Sequence, residues 1–364
     1  MNRLFALGLG LALMGLAGCG SEGTADIFNP ESRGVLAYAY GANVNNQVES
    51  YRIRERDGSL APIDGNAFSD GGQLFCVEAP RNGRFLHLGR PSALQTLRIN
   101  IDTSQLTPVS TVPANFSALG QQLVCSQAGT FVANPSGNAI RQYGVNPDGS
   151  VEEILPAVFL PVGSSVFDGA FDRSASFAYF IQSNGDIQRC AVSATGQMTF
   201  QGTTTAFGGP FDFQDCLISD NDGFLYVLDD QNSQDRIFSF TINNDGTLTQ
   251  RGVIALPLGE YQNLTANGPF MATADTANGN IVPMLLADNG DVSLVNGSTN
   301  LGGLGLSFVP FTPYLLGGPN GANPNRLGSS QVNSNGQVLI SGDPNTLNTL
   351  ARLFDLAVVG YPSI

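Results

Sequence analysis

The chain has 364 residues, 44 of them Gly, with only 13% charged side chains and a net charge of −14; all 16 basic residues are Arg. The absence of Lys excludes a Walker-type phosphate loop and a side-chain Schiff base, and the single His excludes a His-cluster metal site. An acidic surface with scattered Arg repels phosphate backbones, which excludes nucleic acid as a partner.

In chain order, the first element is Leu4 to Leu16, an uncharged apolar run behind Arg3. It has signal-peptide length and is shorter than the about 20 residues of a comfortable membrane span. The run ends in Leu16-Ala17-Gly18-Cys19, which resembles the bacterial lipobox. The resemblance implies that 1–18 is a lipoprotein signal peptide and that the Cys19 thiol accepts the lipid. Gly20 in place of Asp implies retention at the outer membrane of a Gram-negative cell envelope. Residues 19–33 read as the lipidated Cys and a polar tether, and 34–364 as a single domain.

Beyond the tether the pattern is periodic. An aromatic or apolar residue opening a Y-V-A-N-like tetrapeptide recurs at Tyr40, His87, Phe131, Tyr179 and Tyr226, at intervals of 47, 44, 48 and 47. A short strand pattern follows each, beginning at Val48, Leu94, Ile140, Ile187 and Ile237. A turn and an apolar residue come third, as in Asp148-Gly149-Ser150-Val151 and Asp245-Gly246-Thr247-Leu248. β-Branched and aromatic runs bounded by Gly, Asn and Asp are strands joined by tight turns. A four-stranded sheet with apolar residues on both faces must be covered on both sides, which radial packing achieves. About 330 residues at a period of about 47 give seven blades. Copies six and seven are degenerate, placed at Leu285-Leu286-Ala287-Asp288 with Val292 to Val295, and at Leu339 to Gly342 with Leu350 to Leu353. The first copy begins at what should be its second strand, so strands from both termini are expected to complete one blade. The expected fold is therefore all-β: a seven-bladed β-propeller of four-stranded antiparallel blades.

The segments Asp222-Gly223-Phe224-Leu225-Tyr226-Val227-Leu228-Asp229 through Leu248, and Phe131-Val132-Ala133-Asn134 through Val151, resemble the seven-bladed lactonase-type propellers. These comprise the 6-phosphogluconolactonase-like proteins and the YVTN-repeat proteins. The resemblance covers about residues 34 to 360 and implies the fold more strongly than an activity. It implies His, Arg and Glu near one mouth of the channel. The inner-strand entries here, Leu74 to Glu78, Phe167 to Phe171 and Phe211 to Asp215, carry no His, so no catalytic residue carries over.

With Cys19 lipidated, Cys76, Cys125, Cys190 and Cys216 remain, an even number in an exported chain. Three pairings are possible; Cys76–Cys125 and Cys190–Cys216 join neighbouring blades and are expected. His87 stands in the Tyr slot and reads as a strand residue packed between blades. Asp168 and Asp212 lie 44 apart, close to one repeat, and with Asp215, Glu78 and Arg90 are candidates to line a channel mouth. Carboxylates there either bind a hard divalent cation such as Ca²⁺, activate water, or cap turns. Ser219 to Gly223 lacks calcium-loop spacing and reads as a turn; Asp229 to Arg236 is a long loop. Two functions follow. The first is a monomeric binding or scaffold module on the outer membrane, with an envelope protein or a sugar-like ligand as partner. The second is a lactone hydrolase using carboxylate- or metal-activated water.

Overall fold

The structure, a computed structural model, describes residues 35–360 except 56–57, 64–66, 81–82, 101, 117–121, 162–164, 183, 208, 210, 232–233, 277, 297–298, 301–305, 310–311, 313, 318–325, 340–344 and 349–352. Cys19, the signal peptide and the tether lie outside the described residues.

The described residues form only strands, arranged in seven antiparallel sheets. The innermost strands, one per blade, are Leu353–Gly360 (blade 1), Cys76–Glu78 (blade 2), Val124–Cys125 (blade 3), Val166–Phe171 (blade 4), Phe213–Ile218 (blade 5), Tyr261–Asn267 (blade 6) and Ser307–Phe308 (blade 7). Each is followed outward by a second, a third and an outermost strand. In blade 5 these are Phe224–Asp229, Arg236–Ile242 and Leu248–Ala255. Blades 6 and 7 each add a fifth short strand, Thr299–Asn300 and Asn345–Asn348, beside the third. Blade 1 is shared between the termini as expected: Leu353–Gly360 pairs with Val35–Asn43, which sets Tyr40 against Ala357. That pairing closes the ring with a ladder of backbone hydrogen bonds.

The core lies between the blades. One cluster joins Tyr179 and Ile187 of blade 4 to Phe213 and Phe238 of blade 5; another joins Cys76 and Leu94 of blade 2 to Val132 and Tyr143 of blade 3. A second device recurs at five of the seven junctions. The turn glycine ahead of an outermost strand lies under an aromatic ring of the preceding blade, as Gly246 lies under Phe177 and Gly290 under Phe224. Gly246 needs to be Gly, because its φ is +77° and a Cβ there would stand 2.6 Å from the Phe177 ring. Nearby, the Tyr179 hydroxyl donates to the Gly246 carbonyl at 2.9 Å, and the Tyr226 hydroxyl to that of Gly290 at 3.2 Å.

The registers correct three expectations. Phe131 is not the counterpart of Tyr179; pairing with Gly144 places it level with Phe177, and Ala133 holds the Tyr179 position. The second strand of blade 6 is Phe270–Asp275, not Leu285 to Asp288; Leu285 pairs with Phe270 from the third strand. In blade 7 the second strand is Tyr314–Gly317, and Leu339 belongs to the outermost one.

The disulfides are also corrected: Cys76, Cys125, Cys190 and Cys216 are free thiols. Cys190 sits on the third strand of blade 4 and Cys216 on the innermost strand of blade 5. Two strand spacings of about 4.8 Å and a blade gap of about 10 Å exceed the roughly 4.4–6.8 Å that a disulfide spans between Cα atoms. Cys76 and Cys125 both sit on innermost strands, but Cys76 pairs with Gly89 whereas Cys125 pairs with Val132, the counterpart of Leu86. That offset of three residues amounts to about 10 Å along the strand.

Candidate functional site: the central channel

The innermost strands surround a cavity of about 280 Å³. Its polar lining comprises Glu78 of blade 2, Asp168 of blade 4, Asp215 of blade 5, Asn263 and Thr265 of blade 6, and Ser307 of blade 7. Gln122 and Cys125 line it on the blade 3 side. No Arg or His is among the described lining residues, whose ionisable side chains are acidic apart from the Cys125 and Cys216 thiols.

Asp168 and Asp215 are its most constrained groups. Asp168 pairs with Ile181 and Asp215 with Leu228, which puts the two carboxyls at equivalent positions of neighbouring blades. A carboxyl at this height reaches the backbone of the next blade. Asp168 accepts from the Cys216 N–H at 3.0 Å, and Asp215 accepts from the Leu264 N–H at 2.6 Å. Blade 6 continues the series with Thr265, whose hydroxyl oxygen accepts from the Phe308 N–H at 3.1 Å. The two carboxyls also hydrogen-bond to each other, which requires that one be protonated.

Burial raises the Asp168 pKa, and the bonds from Asp215 and the Cys216 backbone partly offset the rise. Burial pushes Asp215 well above the usual carboxylate range, and repulsion from Asp168 adds to it. The pair therefore carries one shared proton over a pH range in which isolated carboxylates have lost theirs. Burial likewise pushes the Cys216 thiol up, with both aspartates adding to the effect, so it is a poor nucleophile.

The other candidates separate from this pair. Glu78 does line the cavity. Asp212 does not pair with Asp168. It lies ahead of the strand, half-buried, with its backbone N–H bonded to Asp229 at 2.6 Å; burial and the Asp229 charge raise its pKa. Arg90 is corrected as a channel residue: its guanidinium meets Asp70 at 2.8 Å, Gln95 at 3.0 Å and the Gly72 carbonyl at 2.6 Å. Those bonds tie the end of its strand to the segment before blade 2. Among the described residues no group of three or more His, Cys, Asp or Glu is placed to hold a metal ion.

His87 is fully buried, as its slot implied, with Nδ1 3.0 Å from the Thr96 hydroxyl and Nε2 without a partner. Burial lowers its pKa to about 4, so the ring is neutral at physiological pH. Ser219 to Gly223 is the turn between the first two strands of blade 5, where the Ser219 hydroxyl oxygen accepts from the Phe224 N–H at 3.0 Å. The loop from Asp229 to Arg236 clamps blade 5 to blade 6: Asp230 accepts from the Tyr261 N–H at 3.2 Å and Asp235 from the Gly259 N–H at 2.8 Å. Sequence reasoning did not single out Asn263, Thr265 or Ser307. The signal available for Asn263 was its position 48 residues after Asp215, one repeat length.

No family model and no curated protein matches the sequence. Solved structures match its shape. A 6-phosphogluconolactonase-like protein of Bacteroides uniformis superposes with a TM-score of 0.74 at 15% identity, over 90% of this chain and 100% of that one. A second, from Bacteroides fragilis, gives 0.73 at 13% identity over 90% and 99%. The periplasmic gluconolactonase of Pseudomonas aeruginosa gives 0.71 at 15% identity over 90% and 100%. At such identities the likeness is one of architecture: the chain has the seven-bladed propeller fold of the lactonase-like proteins.

Proposed function

We propose that the chain is a binding propeller whose central channel takes a neutral, hydroxyl-rich small molecule of sugar or sugar-lactone type. The observation that carries this reading is the cavity lining: Glu78, Asp168 and Asp215, with amide and hydroxyl side chains, and no described basic residue. Carboxyl, amide and hydroxyl groups both donate to and accept from sugar hydroxyls. A phosphate group would meet these carboxyl groups, and each contact with an ionised one at 4 Å costs about 1–4 kcal/mol depending on the local dielectric.

Hydrolysis is the second reading, favoured by the proton-sharing Asp168–Asp215 pair. A carboxylate and a carboxylic acid side by side are suited to deprotonate water and protonate a leaving oxygen. Against it stands the lack of a described cationic donor to stabilise the oxyanion of a lactone adduct. Following acid release from neutral aldonolactones separates the two. We expect no turnover above background, with the lactone nonetheless bound and Asp215→Asn weakening that binding. Turnover abolished by Asp215→Asn would establish the hydrolase instead.

The expected cellular place is the envelope, with anchoring at the outer membrane through lipid on Cys19. The lipobox-like run before Cys19 supports this, and a propeller of the same fold is periplasmic in Pseudomonas aeruginosa. Cys19→Ser should move the protein from the membrane to the soluble fraction; unchanged membrane association would reject the lipid.

A further inference from the structure

We propose that Asp230 and Asp235 form a proton-operated latch between blades 5 and 6, in which one shared proton holds the loop of blade 5 to the connection that leads into blade 6. Both carboxyls grip the same short segment. Asp230 accepts from the Tyr261 N–H at 3.2 Å and Asp235 from the Gly259 N–H at 2.8 Å. The Asp235 backbone carbonyl takes a third donor from that segment, the Leu256 N–H, at 2.7 Å. The segment is closely packed: a Cβ on Gly259 would stand 2.9 Å from the Tyr261 ring and 3.1 Å from the Asp275 carboxyl.

The two carboxyls also hydrogen-bond to each other, which requires a proton between them. Asp235 is buried, and its Oδ1 meets no N–H or hydroxyl donor among the described residues. The shared proton is the donor that satisfies it. Losing that proton leaves a buried carboxylate oxygen unsatisfied beside a second negative charge. The groups around the pair do not offset this. Asp212 and Asp229 act on it from blade 5, and Asp275 lies across from it on blade 6, where it accepts from the Glu260 N–H at 3.3 Å. Glu260 itself is an exposed acid in the connection. The cation of the loop, Arg236, is directed at Asp229 through Nε and one terminal nitrogen. The Tyr261 hydroxyl donates to the Pro257 carbonyl at 2.9 Å, and burial together with Asp275, Asp235 and Asp230 raises its pKa, so it stays neutral.

Burial, the bond to Asp235 and the charge of Asp235 raise Asp230 to about 7; the Tyr261 N–H offsets part of the rise and Asp212 adds to it. In a released loop Asp230 regains the ordinary carboxyl value of roughly 4. Between those values the latched state holds one more proton than the released state. Release is therefore favoured by up to about tenfold per pH unit as pH rises through that window, and levels off above neutrality. The latch is tight in acid and weakest at alkaline pH. It holds the head of Tyr261–Asn267, the strand that carries Asn263 and Thr265 to the channel wall.

Amide hydrogen exchange at Gly259 and Tyr261 across roughly pH 5 to 8, with the intrinsic exchange rate divided out, tests this. In the wild type, protection at both amides should fall at least about tenfold through that range and then level off. Gly246, whose N–H meets the Asn243 carbonyl at 2.8 Å, should keep its protection. Asp230→Asn keeps an acceptor for the Tyr261 N–H and gives Asp235 a donor that does not titrate, so protection should stay high throughout. Asp235→Asn supplies the same fixed donor from the other side, and it repeats the test if Asp230→Asn does not fold. Wild-type protection at Gly259 and Tyr261 that ignores pH, that falls in step with Gly246, or that falls equally in the Asn variants would overturn the latch.

Discussion

Replacing Gly246 with Ala tests how the blades are locked together. Two penalties add. At φ +77° an L-residue is strained by roughly 1–2 kcal/mol. The new Cβ stands 2.6 Å from the Phe177 ring, which cannot withdraw without giving up its place over the turn, and overpacking of this kind costs about 1–3 kcal/mol. The sum is about 2–5 kcal/mol. Gly137 is the control, because its φ is +62° but no atom lies within 4 Å of the Cβ position, so Gly137→Ala carries the strain alone. Urea unfolding at unchanged m-value should therefore show Gly246→Ala less stable than Gly137→Ala by about 1–3 kcal/mol. In a Phe177→Ala background the excess should vanish, because the clashing ring is gone. Equal losses for the two glycines, or an excess that survives Phe177→Ala, would refute the view that the ring-over-turn contact locks one blade to the next.

His87 and the buried aspartates give stability opposite dependences on pH. The His87 pKa falls from 6.5 to about 4 on folding, so the native state binds fewer protons than the unfolded state between those values. Stability is lost as pH falls through that window, by at most roughly 3 kcal/mol, and His87→Phe should abolish this acid limb in urea titrations. Asp168, Asp215 and Asp230 are raised on folding, Asp230 to about 7 by burial and by Asp235. Their native state holds extra protons above about pH 4, so their contribution is present at low pH and lost as pH rises toward and past neutrality. Asp215→Asn should flatten that decline; an unchanged slope would show that the pair does not share a proton. Alkylation in denaturant without reductant should modify Cys76, Cys125, Cys190 and Cys216 alike, and protected thiols at any of them would show the registers around those strands to be wrong.

The fold was legible because each blade repeats the same local chemistry. Asp148-Gly149 and Asp245-Gly246 mark the turns, and Tyr179 and Tyr226 mark the second strands at one period. Legibility failed where composition departed from that chemistry. The strand Phe270–Asp275 reads Phe-Met-Ala-Thr-Ala-Asp, with Ala, Thr and Ala where blade 5 has Tyr, Val and Leu, yet its opening Phe stands 46 residues after Phe224. Phe131 misled by resembling the Tyr slot while occupying the position two residues earlier. In the channel, the spacing of 44 pointed to Asp212 as the counterpart of Asp168, but that position is held by Asp215, 47 residues on, while Asp212 belongs to the segment ahead of the strand. The disulfide expectation failed because sequence spacing identifies neighbouring blades but not radial layer, and Cys190 and Cys216 occupy different layers. Arg90 failed because its partner Asp70 lies 20 residues upstream in a segment without periodic pattern.

The most direct test of the channel reading is a competition measurement on the purified propeller: saturation-transfer NMR of a neutral hexose, its aldonolactone and the matching 6-phosphate, each displaced by the others. We expect the neutral compounds to bind and compete with one another, the 6-phosphate to bind at least about tenfold more weakly, and Glu78→Gln to narrow that gap by removing a repelling charge. Preference for the 6-phosphate, or indifference to the phosphate in the wild type, would contradict an acidic channel built for neutral ligands.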